Sequence, residues 1–234
     1  MRAQNFKPVP ESIGVFGSNG HIGIEVAREI RRRSPQTRLR LFIRLEDYRA
    51  DLKEEFPDAE VMVVNYYDYD SLEAGFQDLQ GLFIVTPDFL DEQRAMTNLV
   101  YAARAARRLV HIVRILADPP GMTLDRVPAD LRNFSMGVAT QHLAAKEILE
   151  KSALPITYLN IASWFFQNLV RMLAPSLMAE RVLSMPRDRR MGFIDSRDIA
   201  ACVAALLLSD NHRYIGHTFH LNNGHDIMRF SELA

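Results

Sequence analysis

Hydrophobic residues occur in two alternating textures along this chain. Short, nearly all-apolar runs recur at residues 12–16, 38–43, 60–64, 81–85, 109–116 and 155–160. Between them lie segments that spread their apolar residues among charged ones, at 21–33, 47–55, 69–76, 91–107 and 140–152. The runs are short, and too uniformly apolar for a sheet with one wet face. They predict strands of a parallel sheet covered on both sides. The mixed segments predict the covering helices; in 91–107, Met96, Leu99, Val100 and Ala103 share one stripe. Strict alternation of the two, joined by right-handed crossovers, gives an α/β class and a doubly wound parallel sheet. After residue 116 the pattern loosens. Residues 118–121 read as a loop, and 122–137 carry no clear period. A helix bearing Trp164, Phe165 and Phe166 is expected over 163–173, a charged turn at 187–190, an alanine-rich helix over 196–208 and a late strand over 217–221.

The junction of the first strand and first helix carries the chemistry. Three glycines, Gly17, Gly20 and Gly23, close the apolar run, with Ser18, Asn19, His21 and Ile22 between them. Glycines let a backbone turn sharply and approach phosphates closely. The first turn of the following helix offers unpaired N–H groups and a partial positive charge. A dinucleotide diphosphate needs that order of strand, glycine turn and helix, so residues 17–23 are the expected cofactor loop. Residues 1–117 are then the dinucleotide-binding half. Residues 118–234 complete the same compact domain and form a small substrate-capping region over the carboxyl ends of the strands. The second strand ends at Arg44. A guanidinium there pairs bidentately with a 2′-phosphate, which favours NADP; Glu46 and Asp47 lie just beyond and keep NAD open through the ribose hydroxyls. Thr86 and Pro87 end the fourth strand, where the nicotinamide-side ribose would pass. Asp68 and Asp70 read as helix caps.

Composition narrows the partners. A formal net charge of −1 over 234 residues provides no field for nucleic acid or an anionic membrane. No apolar run reaches the ~20 residues of a membrane helix, and the first ten residues lack the apolar core of a secretory signal. A cytoplasmic protein with a small-molecule substrate is expected. The single cysteine, Cys202, makes no internal disulfide, and the histidines outside the cofactor loop show no metal-ligand spacing, so no metal is expected. Arg31, Arg32 and Arg33 suit the carboxyl end of the first helix.

Several stretches, in collinear order, resemble the NmrA-like branch of the atypical short-chain dehydrogenases, a Rossmann-fold superfamily. They are the Gly-x-x-Gly-x-x-Gly turn of Gly17, Gly20 and Gly23, the run Leu72-Glu73-Ala74-Gly75-Phe76 and the run Gly81-Leu82-Phe83-Ile84-Val85-Thr86-Pro87. Further on come Leu154-Pro155-Ile156-Thr157-Tyr158-Leu159, Phe165-Phe166-Gln167-Asn168-Leu169, Gly192 through Ala200, and His217-Thr218-Phe219-His220-Leu221. The resemblance covers residues 13–234, and the family typically continues some tens of residues further, so a shortened roof over the substrate pocket is expected. It implies a role for Asn65 beside the adenine, where relatives commonly carry Asp. Ordinary relatives use a serine after the fifth strand and then Tyr-x-x-x-Lys. Here there is no such serine, His142 stands at the tyrosine position, and Lys146 fills the lysine position. His142 is expected to be neutral beside the Lys146 ammonium and to pass a proton near neutral pH, with Lys146 also holding the ribose. A polar, solvated helix face is the alternative. Trp164, Phe165 and Asn168 are the expected substrate contacts, with Phe166 and Phe193 completing an aromatic wall; the same rings at helical spacing also read as core. The resemblance implies an NAD(P)H-dependent oxidoreductase that delivers hydride to a small conjugated or aromatic carbonyl or quinone-like compound. It admits, as the alternative, a non-catalytic, NADP-sensing regulator that binds a protein partner. A homodimer is the other association considered.

Overall fold

The computed structural model describes residues 5–88, 90–132, 138–161, 163–182 and 188–232. Strands β1 (Ser12–Val15), β2 (Arg38–Ile43), β3 (Glu60–Val63), β4 (Gly81–Ile84), β5 (His111–Leu116), β6 (Ile156–Asn160) and β9 (Thr218–His220) build one sheet in the order β3-β2-β1-β4-β5-β6-β9. Every pairing in it is parallel. The strand order reverses between β1 and β4, which opens a crevice at their carboxyl ends. This is the Rossmann-like α/β architecture expected from the alternating textures.

The helices are α1 (Gly23–Arg33), α2 (Arg49–Glu55), α3 (Tyr69–Phe76), α4 (Glu92–Ala106), a short α5 (Ala129–Arg132), α6 (Val138–Glu150), a short α7 (Phe166–Asn168), α8 (Ala174–Glu180) and α9 (Ser196–Leu207). Helices α1 and α9 pack together on one face of the sheet; α4 packs with both α3 and α6 on the other. Two cores result. One joins Ile13, Val15, Val26, Ile30, Leu41 and Val203; the other joins Phe42, Phe76, Leu82, Met96, Leu99 and Ile112. Strands β1, β4, β5 and β6 are buried throughout, which is why their sequences alternate so little. Carboxylates start three helices: Asp68 accepts from the N–H groups of Asp70 and Ser71, Asp91 from Arg94 and Asp195 from Arg197. Arg32 and Arg33 pair back to Glu29 at the end of α1.

The expected helix over 163–173 is different in the structure. It opens as strand β7 (Trp164–Phe165), which pairs in parallel with β8 (Arg190–Ile194). Aromatic side chains suit that pleated pairing. The chain then enters α7, passes through a π-helical stretch at Leu169–Leu173 and continues into α8. Strand β10 (Ile227–Arg229) pairs antiparallel with β8 to complete a second, three-stranded sheet that the sequence pattern did not announce. In the charged turn expected at 187–190, Arg190 already belongs to β8 and Arg187 lies outside the described residues. So does the end of the unpatterned stretch, 133–137. No helix among the described residues is long and apolar enough to cross a membrane, and no group of three or more His, Cys, Asp or Glu among them could hold a metal.

Candidate functional site

At the carboxyl end of β1 the backbone turns through Gly17, which has φ +65°, a left-handed conformation that only glycine adopts freely. The Gly20 N–H closes the turn on the Gly17 carbonyl at 2.8 Å. Helix α1 begins at Gly23, two residues later than the pattern placed it, so His21 and Ile22 belong to the turn. A Cβ on Gly23 would lie 2.2 Å from the Gly17 oxygen and 2.6 Å from the Phe16 oxygen. Glycine therefore lets α1 press its first turn against the strand end. Among the described residues nothing accepts from the N–H groups of Asn19, His21, Ile22 or Gly23. Four backbone donors without an acceptor among the described residues thus lie at and just before a helix amino terminus, the kind of group that suits a diphosphate. Ser18 contributes none of this. Its hydroxyl is buried and donates to the Val15 carbonyl at 2.7 Å, and its N–H points to the Phe42 carbonyl at 3.4 Å. The turn folds that side chain under itself, so the Ser18 hydroxyl is engaged within the protein.

Arg44 follows β2, exposed and without a hydrogen bond or ion pair among the described residues. Its neighbour Glu46 is held by Arg49, whose Nη2 donates to Glu46 Oε2 at 2.9 Å while Nε donates to Oε1. The acidic group nearest the end of β2 is thus already paired. Asn65, exposed after β3, spends its Oδ1 on the Tyr67 N–H at 3.0 Å and its own N–H on the Ser71 hydroxyl at 3.1 Å. Among the described residues its amide NH₂ has no acceptor.

Behind the ends of β4 and β5 lies a buried ionic cluster. Arg114, fully buried on β5, donates from Nη2 to Glu92 Oε1 at 2.6 Å and to the Thr86 hydroxyl oxygen at 3.0 Å. Thr86 in turn donates its hydroxyl to Glu92. His142 Nε2 stands 3.7 Å from the same Glu92 oxygen, and His142 Nδ1 accepts the Ala117 N–H at 2.7 Å. Nδ1 is thereby an acceptor, which places the ring proton on Nε2, facing the carboxylate. Thr86, expected beside a ribose, is half-buried with its hydroxyl bonded to two buried charged partners; Pro87 is exposed at the crevice.

Burial, reinforced by the Arg114 guanidinium, holds His142 down at about 3. It is neutral at pH 7, as expected, but Lys146 is not the cause. With its proton affinity lowered this far, the ring carries almost no charge at neutral pH. Burial likewise holds His111 at about 3, with Lys7 adding to the effect. Above pH 6.5 both rings are neutral, folded or unfolded. Below it the unfolded chain takes up protons that the native chain refuses, so stability falls as pH drops from about 6.5 toward 3. Urea midpoints at pH 7 and 4.5 should show this fall, and His142→Asn, whose amide oxygen can replace Nδ1, should make it shallower. An unchanged pH slope in that variant would contradict the burial of a neutral ring.

The C-terminal segment reaches back to the glycine turn. The Phe165 ring stands edge-on to His21 with centroids 5.5 Å apart, and Arg171 Nη1 lies 3.1 Å from His21 Nδ1. Phe166 stacks on Phe193 at 5.6 Å, and Phe193 meets Phe230 edge-on at 6.1 Å. Phe193 is fully buried. Phe166 is half-buried. Trp164 is placed by its backbone in β7, and its side chain lies outside the described residues. Asn168 ends α7 half-buried, and Lys146 sits half-buried on α6, one turn beyond His142, with its Nζ 4.0 Å from Glu150.

A model of the NmrA-like family matches residues 10–234. The chain belongs to the NmrA-like family. No curated protein sequence matches it. Among solved structures, this NmrA-like chain is similar in fold to the triphenylmethane reductase of Citrobacter sp. in complex with NADP(H), at TM-score 0.75 and 19% identity. That match covers 95% of this chain and 73% of the reductase. The NADPH-dependent quinone oxidoreductase of Escherichia coli in complex with NADPH gives TM-score 0.76 at 19% identity, covering 95% and 72%. A nucleoside-diphosphate-sugar epimerase of Staphylococcus aureus gives 0.71 at 22%, covering 95% and 74%.

Three charged residues of this NmrA-like site were missed in the sequence: Glu92, Arg114 and Arg171. Arg114 had a signal, a lone charge inside the apolar run 111–116, which in a strand buried on both faces demands a buried partner. Glu92 was masked by its neighbour, the helix cap Asp91. Arg171 carried no signal, since its contact with His21 spans 150 residues of sequence.

Proposed function

We propose that this protein is an NADP(H)-dependent oxidoreductase that transfers hydride to a small conjugated or aromatic carbonyl or quinone-like compound. The observation that carries the reading is the turn at 17–23, where four unpaired backbone N–H groups meet the amino end of α1. Arg44 supports NADP over NAD: among the described residues its guanidinium at the end of β2 has no partner, while Glu46 is taken by Arg49. The two reductases of similar fold, described with NADP(H) and NADPH, point the same way.

Within this reading Asn19, His21, Ile22 and Gly23 hold the diphosphate through their N–H groups, Arg44 holds the 2′-phosphate, and Asn65 donates to the adenine. The bound nicotinamide supplies the hydride. The chain's own task is to align the acceptor and exclude water. His142, locked on the Ala117 N–H, fixes the end of β5 rather than moving a proton. Lys146 is the cation on that helix face for a ribose hydroxyl or a developing oxyanion. Trp164, Phe165 and Asn168 lie on the segment that would cover the acceptor.

Arg44→Ala should weaken NADPH binding by about 10- to 100-fold, the worth of a hydrogen-bonded charge pair, and leave NADH binding nearly unchanged. Calorimetric titration with both nucleotides checks this; equal losses for both would reject the 2′-phosphate contact. The locked, neutral His142 also favours a second reading, a non-catalytic NADP sensor. Loss of reduced-nicotinamide absorbance against a panel of quinones separates the two. Turnover supports the enzyme, and tight binding with no turnover for any acceptor supports the sensor.

A further inference from the structure

The glycine turn contains no lysine or arginine. A diphosphate brings two negative charges, against which a helix amino terminus offers about half a charge. The Asp88 carboxylate is close enough to His21 to raise its proton affinity, which adds a further anion beside the turn. Tight binding there calls for a cation, and the structure provides one from the other half of the chain. Arg171, on the π-helical stretch Leu169–Leu173, holds its guanidinium against the glycine turn, with Nη1 3.1 Å from His21 Nδ1.

The nature of that contact matters. A guanidinium has no acceptor, so Arg171 donates and His21 Nδ1 accepts. The His21 proton is then on Nε2, which is buried and has no partner. Burial and Arg171 both lower the proton affinity of His21, so the ring meeting the guanidinium is neutral at pH 7. Among the described residues Arg171 makes no ion pair. Its side chain is exposed and held by one neutral nitrogen. A phosphate oxygen is a much stronger acceptor for a guanidinium and takes two parallel N–H donors.

We propose that Arg171 is a diphosphate-binding residue, delivered by the C-terminal half to the glycine turn and parked on His21 until a dinucleotide replaces that contact. The inference rests on the cofactor reading above and deepens it. Phosphate at the turn takes the guanidinium from His21, and the segment from α7 to α8 is thereby tied over the cofactor. His21 is the holder, oriented by the edge of Phe165.

Calorimetric titration of the full chain with NADPH, NADH and adenosine 2′-monophosphate tests this. The diphosphate is common to the first two and absent from the third. Arg171→Ala should weaken NADPH and NADH by the same factor, about 10- to 100-fold, and leave adenosine 2′-monophosphate unchanged. Arg171→Lys should recover part of the loss, as a point charge without the bidentate fork. A thermal melt of each variant, expected to match the parent because Arg171 is exposed, shows that the chain is folded. Arg171→Ala binding both dinucleotides as tightly as the parent would overturn the proposal and leave the cofactor reading standing. An equal loss for adenosine 2′-monophosphate would also overturn it, since that ligand carries no diphosphate. A parent chain that binds neither dinucleotide would remove the cofactor reading, and this proposal with it.

Discussion

A Gly23→Ala variant is expected to bind NADPH at least about 100-fold more weakly than the parent chain, the loss that follows from disturbing two or more hydrogen bonds to a charged group. The added methyl would sit 2.2 Å from the Gly17 oxygen, 2.4 Å from the Gly17 carbonyl carbon and 2.6 Å from the Phe16 oxygen. All three are backbone atoms of the turn, so no side chain can swing aside to make room. The turn and the first residues of α1 must move apart, and the N–H groups of Asn19, His21, Ile22 and Gly23 lose their common aim. Gly20→Ala is the milder companion: its nearest contact is a single one, 3.2 Å from the Gly17 oxygen. Calorimetry should rank the losses as Gly23→Ala well above Gly20→Ala. The reverse order, or equal affinity in Gly23→Ala and the parent, would mean that the turn is not where the nucleotide binds.

Glu92→Ala should lower the stability of the fold by about 3–5 kcal/mol, the usual cost of leaving one member of a buried ion pair alone. Arg114 is fully buried, and among the described residues its hydrogen-bond partners are Glu92 and the Thr86 hydroxyl. Its Nε and Nη1 already lack partners, so removing the carboxylate leaves a whole guanidinium charge without compensation. For a chain of this size the melting temperature should fall by on the order of 10 °C. Replacing both residues by leucine removes the stranded charge along with its partner, and most of the lost stability should return. Urea unfolding of the single and double variants measures this. A double variant no more stable than Glu92→Ala would show that the cluster is held together by something other than charge balance. The cluster also fixes Thr86 at the end of β4 and His142 against the end of β5, so the single variant should loosen the floor of the crevice as well.

The sheet was legible because its strands are buried on both faces. Runs such as 81–85 and 155–160 carry no polar residue facing water, and a helix that short would gain little from so much apolar surface. The glycine turn was legible for a similar reason: each glycine answers a backbone demand that the structure makes explicit. The segment after residue 160 was harder. Trp164 and Phe165 fit an amphipathic helix as well as a strand, and the choice was made by β8, a partner some thirty residues away. Site geometry was hidden from the sequence where residues act as a group. His142 was read against Lys146 on its own helix. The partners that govern it, Arg114 and Glu92, come from β5 and α4. The Ser18 and Thr86 hydroxyls, which the sequence pattern left unassigned to any internal partner, donate to the Val15 carbonyl and to Glu92.

The most direct test of the central claim follows the backbone amides of the isotopically labelled chain by nuclear magnetic resonance while NADP⁺ is added. A diphosphate seated on the turn shifts the amides of Asn19, His21, Ile22 and Gly23 more than any others in the first half of the chain. Saturating nucleotide that leaves those four signals in place, or that moves only amides far from the carboxyl ends of the strands, would contradict it.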